Sequence, residues 1–183
     1  MTSLHTALIL ATAFLIVFAE ATFGGVRRLF GAQVELLPSL MIYTGLSTGL
    51  PTIALLAICG GLWLDALSAN PLGVTILPLF VVGLVVQRYR GLILRDQRFA
   101  QMIIGGCASG AVPLMTLIVL LNTHRQPLVG WISIWQWVLM ILAGGLMTPV
   151  WFRLFGWLTD KFMYRSLGET SFRPDREIKR GRD

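Results

Sequence analysis

LLPSLMIYTGLSTGLPTIALLAICGGLWL, residues 36–64, decides how this chain is read. The stretch carries no charged side chain. It is longer than the roughly 20 apolar residues that take one helix across a bilayer core, yet it falls short of two full spans. It must therefore be two short helices or one long broken one. Gly45, Gly49 and Pro51 mark the break. Proline lacks a backbone donor and disfavours helix at the residue before it, which puts the turn at Leu50. The expectation is one helix over 37–48 and another over 52–67. Non-helical backbone at such a place is tolerable only where neighbouring protein shields it from lipid.

Working outward, 4–23 reads as a first apolar helix, ended by Gly24-Gly25 and anchored by Arg27-Arg28. Residues 1–4 lack the basic start of a signal peptide, so the helix is expected to remain uncleaved. Glu20 in its last turns must reach head groups or face protein, since a carboxylate at bilayer centre costs about 3 kcal/mol. Asn70-Pro71 looks like the N-cap and first position of a fourth helix running to about 86. The loop after it is strongly cationic, with Arg88, Arg90, Arg95 and Arg98 against Asp96 alone, as cytoplasmic loops are. A fifth helix over 99–121 and a sixth over 131–157 follow, joined by a loop whose one fixed charge is Arg125.

Trp131, Trp135 and Trp137 at the start of the sixth helix and Trp151 and Trp157 near its end fit aromatic belts at the two interfaces. Lys161 and Arg165 put the C-terminus in the cytoplasm. Six crossings then give a cytoplasmic N-terminus but leave Arg27-Arg28 outside, against the positive-inside rule. If 36–64 crosses once, the N-terminus flips and that pair moves inside. The fold class is an all-α integral membrane bundle of about six helices over 1–165. The polar tail, 166–183, has too little apolar surface to fold on its own.

Composition agrees. Hydrophobic residues make up 55% and charged residues 13%, with mean hydropathy +0.73, more apolar than soluble domains. The net charge of +6 is confined to short loops and the tail, so it reads as membrane topology and lipid contact, with no nucleic-acid face. Cys59 and Cys107 lie in apolar runs as small packing residues.

Gly45-Leu46-Ser47-Thr48-Gly49 matches the nucleophile-elbow pattern, but that motif works on a strand-to-helix turn with a base in reach, and His5 and His124 are the chain's histidines. No zinc-protease, Walker or C-x-x-C motif occurs, so neither metal nor cofactor is expected. Small residues are the stronger pattern: Gly45 with Gly49, Gly106 with Gly110, and the pairs Gly60-Gly61, Gly105-Gly106 and Gly144-Gly145 suit close helix packing, within the bundle or against another membrane protein. Thr44, Ser47, Thr48, Ser109, Thr116 and Thr148 could line a solute path, but single hydroxyls can also bond to their own helix backbone. Asp65 closes a long apolar run and needs a reason to be there. The choices are an interfacial helix end, a hydrogen bond within the following turn, or a bound ion or substrate.

Gly61-Leu62-Trp63-Leu64-Asp65-Ala66-Leu67-Ser68, followed by Pro71-Leu72-Gly73, resembles the signature segment of the rod shape-determining membrane protein MreD family. Pro38 at the head of a preceding helix and the basic loop after the fourth helix fit as well. The likeness extends over about 38–164, with its specific part in 61–73. It implies a non-catalytic component of the bacterial elongation machinery in the cytoplasmic membrane. Its partner would be the bitopic protein MreC and, through it, MreB, the elongation transpeptidase and the SEDS glycosyltransferase. Gly61, Asp65, Ser68, Pro71 and Gly73 would shape the bundle, while the arginines of the basic loop would meet partners or lipid. The bundle also looks similar to the substrate-binding components of energy-coupling-factor vitamin transporters, an alternative from another functional class.

Overall fold

A computed structural model describes residues 2–22, 34–68, 71–91, 97–122 and 131–167. The described residues form six helices and no strands: α1 (Thr2–Thr22), α2 (Leu37–Ser47), α3 (Leu50–Leu67), α4 (Ile76–Arg88), α5 (Arg98–Asn122) and α6 (Trp131–Leu167). Four stretches are long and apolar enough to cross a membrane: Leu4–Thr22, Leu50–Leu67, Arg98–Asn122 and Ser133–Thr159. The chain is therefore read as a membrane protein. At 11 and 13 residues, α2 and α4 are only about 16 and 20 Å long. Both fall short of the roughly 30 Å hydrocarbon core. Of the six helices, four are thus long enough to span and two are short.

The break in 36–64 falls at Thr48 and Gly49, ahead of the expected Leu50. Pro51 sits in the first turn of α3, where a missing N–H forfeits no helical bond, so the helix can begin before it. Pro38 holds the same place in α2. Every residue from Leu37 to Leu46 is buried. A short helix enclosed on all sides needs no polar face, whereas the break after it, from Gly49 to Pro51, is exposed.

Contacts fix the directions. The Thr6 and Thr52 hydroxyls hydrogen-bond at 3.0 Å, and Phe14 meets Trp63 edge to face, so α1 and α3 run the same way. His5 pairs with Tyr43 at 3.2 Å and Glu20 reaches Leu36, so α2 runs against α1. A Cβ on Gly61 would lie 3.0 Å from the backbone of Ile76, and one on Gly83 2.6 Å from Ile53, which sets α4 antiparallel to α3. The start of α1, the α2–α3 break and the Arg88 end of α4 therefore share one end of the bundle.

The closest approach is between α5 and α6. A Cβ on Gly105 would stand 1.9 Å from Thr148 Oγ1 and 2.8 Å from the Gly144 carbonyl oxygen, and one on Gly144 would stand 1.8 Å from Ser109 Oγ. The small residues read from the sequence here serve packing within the bundle. Outward-facing Leu15, Phe18, Ile58, Leu62, Leu77, Ile103, Ile118, Leu142, Leu146 and Val150 are exposed. So much exposed apolar surface would aggregate in water, whereas lipid is its natural solvent.

By internal contacts the chain divides into two units, 1–151 and 152–183. In the second, helix continues to Leu167, two residues beyond the expected end of the membrane bundle, and Lys161 Nζ lies 4.7 Å over the Trp157 ring. Residues 168–183, on which the tail expectation falls, lie outside the described residues.

Candidate functional site

The segment Gly61 to Thr75 folds into one corner, and Asp65 is its centre. Asp65 sits in the last turn of α3 and is 1% exposed. Its Oδ2 accepts the Gly73 N–H at 2.8 Å and the Thr75 N–H at 3.1 Å, and its Oδ1 accepts the Thr75 hydroxyl. Three donors on one buried carboxylate satisfy most of its acceptor capacity. Of the readings open for Asp65, the turn hydrogen bond is the one present.

The other corner residues have distinct jobs. Gly61 lets the first residue of α4 touch the α3 backbone. The Ser68 N–H and hydroxyl both donate to the Asp65 carbonyl at 3.3 Å, closing the end of α3. Pro71 opens a turn in which its carbonyl accepts the Val74 N–H at 3.4 Å, with Gly73 third in the turn at φ +93°. A type II turn needs glycine at that place. These bonds correct the expected start of α4: helix begins at Ile76 with Thr75 as N-cap, not at Pro71. Asp65 holds 73–75 in a turn conformation that a helix from 71 would not allow. Asn70 lies outside the described residues.

Two further acids follow from Asp65 in turn, Glu35 near it and Glu20 near Glu35. Glu20 Oε1 accepts the Leu36 N–H at 2.7 Å, so Glu20 faces protein rather than head groups. Glu35 lies between the long helices, one residue before the N-cap of α2. Burial, and then the nearby Asp65 charge, pushes its carboxyl up to about 7. Glu35 and Thr75 line a cavity of about 340 Å³, whose other wall comes from the second half of α5 and the first turns of α6. Thr116, Ser133, Gln136 and Trp137 also line it. The Trp137 indole N–H donates to the Gly110 carbonyl at 3.1 Å, which fixes the ring against the cavity.

Trp137 and Trp151 thereby depart from the expected interfacial belts. Trp151 is 8% exposed, and its N–H donates to Ser39 Oγ at 2.9 Å. Ser39 donates in turn to the Leu36 carbonyl. Trp135 and Trp157 are exposed, as belt residues should be. Sequence reasoning passed over Glu35, Ser39 and Gln101, all of them polar residues at a helix head. Glu35 stands directly before an uncharged run, the one local sign that its charge would be costly.

The hydroxyls of Thr44, Thr48, Thr116 and Thr148 each donate to the carbonyl four residues earlier. Ser109 Oγ is buried and has no partner among the described residues. The Gly45 to Gly49 stretch is a helix end and break, with Gly45 pressed against Val86 and the Gly83 carbonyl. Arg88, Arg90 and Arg98 are exposed around the end of α4 and the start of α5, whereas Arg95 lies outside the described residues. Among the described residues, no group of three or more His, Cys, Asp or Glu is placed to hold a metal ion. Compared with protein families, characterised proteins and solved structures, the chain matches none.

Proposed function

We propose that the chain is a non-catalytic membrane scaffold of the bacterial cell-elongation complex, similar to MreD, that organises lateral peptidoglycan synthesis by helix-to-helix docking with MreC. The observation that carries this reading is the Gly61–Thr75 corner. The residues resembling the family signature each have a structural task there: close approach, carboxylate anchor, helix end or turn. A segment whose specificity lies in building a corner suits a protein that works by its shape. Its MreC contact would link it to MreB, the transpeptidase and the SEDS glycosyltransferase.

On this reading the bundle sits in the cytoplasmic membrane with Arg88, Arg90 and Arg98 facing the cytoplasm, where they meet anionic lipid or partner. The start of α1 shares that end of the bundle. A cytoplasmic N-terminus follows, as does a cytoplasmic C-terminus after the return of α6.

A second reading, the substrate-binding component of a vitamin-like transporter, is favoured by the cavity beside Glu35 and Thr75. Pockets of a few hundred Å³ with a few convergent polar groups are ordinary small-molecule sites. One experiment separates the two. The tagged full chain is purified from its native membranes in mild detergent, and the proteins that come with it are identified by mass spectrometry. MreC with wall-synthesis enzymes is the expected result. An ATP-binding-cassette pair with a coupling membrane protein, and no wall enzymes, would overturn the scaffold in favour of the transporter.

A further inference from the structure

We infer that the cavity between Glu35, Thr75 and the α5–α6 pair binds a primary ammonium group carried on an apolar body, with the Glu35 carboxylate as its counter-ion. The inference holds whether or not the chain is a scaffold, because it rests on what the cavity offers a ligand.

The three acids near this place are not equivalent. Asp65 is occupied by three donors and Glu20 by the Leu36 N–H. Glu35 lines the cavity, and none of the described residues donates a hydrogen bond to it. A carboxylate in such surroundings needs donors or a positive charge to remain ionised. Among the described residues, no Lys or Arg lines the cavity to supply that charge. An anionic ligand would meet the Glu35 carboxylate and, among the described residues, no base.

The rest of the wall sets the body of the ligand. Leu114, Leu117, Leu120, Ile134 and Met140 are apolar, and the Trp137 ring is held in place by its bond to Gly110. A bare metal ion would gain nothing from such a surface and would lack oxygen ligands on that side. An ammonium group donates to Glu35 and lies among the Thr75, Thr116 and Gln136 oxygens, while its apolar body fills the leucine side. Two sources share this chemistry: the ethanolamine head group of a phospholipid and a free amphiphilic amine.

The test titrates the purified full chain in maltoside detergent with phenethylamine and with 2-phenylethanol, a neutral analogue of nearly the same shape, by calorimetry. A charge-assisted contact makes the amine about tenfold tighter than the alcohol. Glu35→Gln abolishes that preference, and Leu117→Trp, which fills the cavity, weakens both ligands. Equal affinity for amine and alcohol in the unaltered chain overturns the inference, as does a Glu35→Gln chain that keeps the preference. Should Glu35→Gln not fold, the unaltered chain and Leu117→Trp still decide.

Native mass spectrometry from nanodiscs of phosphatidylethanolamine or phosphatidylglycerol then separates the sources. Phosphatidylethanolamine retained and displaced by phenethylamine assigns the site to lipid. Phenethylamine bound equally in both discs assigns it to a free amine.

Discussion

Replacing Asp65 with alanine tests the corner directly. The substitution leaves the Gly73 and Thr75 N–H groups facing a void, in a place that water does not reach freely because Asp65 and Thr75 are both buried. The Thr75 hydroxyl can rotate toward another acceptor, so it is left out of the sum. Each orphaned buried amide costs about 1–3 kcal/mol, so the pair costs roughly 2–6 kcal/mol, a large part of a typical folding free energy. Asp65→Asn can put its carbonyl oxygen where Oδ2 accepts both amides and turn its NH2 toward the Thr75 hydroxyl, which can accept, so it should cost well under the alanine change. The assay is thermal unfolding of the detergent-solubilised chain, followed by size-exclusion chromatography of the fraction that stays folded. The expected order of stability is unaltered chain, Asp65→Asn, then Asp65→Ala. An alanine variant as stable as the unaltered chain would refute the anchor role of Asp65, and a specific ion or substrate role would then have to account for its burial. Loss of partner capture should track loss of stability across the series, since Asp65 acts on shape.

The α5–α6 contact gives a second prediction: Gly105→Ala forces a Cβ to within 2.8 Å of backbone, which no rotamer change relieves. It should destabilise by about 1–3 kcal/mol, whereas Gly156→Ala, with nothing within 4 Å, should be neutral or slightly stabilising. Equal melting points for the two variants would contradict the packing described. A third concerns pH. The folded state raises Glu35 from its ordinary 4.5 to about 7, so it binds that proton more tightly than the unfolded chain does. Its contribution to stability is complete below pH 4.5 and is lost as pH rises through 7. Melting curves of unaltered and Glu35→Gln chains across that range should differ by a slope of this sign, and parallel curves would count against it.

Some of the site was legible and some was not, for reasons that can be read residue by residue. Pro38 and Pro51 announced two helix starts, because the proline rule involves only a residue's own backbone. Asp65, Ser68, Pro71 and Gly73 stood out as part of a segment resembling a family signature, and a hydrogen bond within the following turn was one of three readings open for Asp65. The start of α4 misled, because Asn70-Pro71 obeys the local rule for a helix start while Asp65, bonded across the turn, holds 73–75 out of helix. Trp137 and Trp151 misled in the same manner: an aromatic near a helix end suits an interface until a carbonyl or hydroxyl from another helix claims its N–H.

The sequence by itself determined that the chain is helical and apolar enough for a membrane, where the long helices lie, and that 36–64 must break. Those properties are sums over neighbouring residues, and hydropathy and proline need no partner to act. Only the tertiary structure decided that α2 is enclosed rather than spanning, that α5 and α6 touch backbone to backbone, and that Glu35 lies beside a cavity with Asp65 on one side and Glu20 near it. These three acids come from separate parts of the chain, and what each one faces depends on which other helices pack against it, a property that no single stretch of sequence contains.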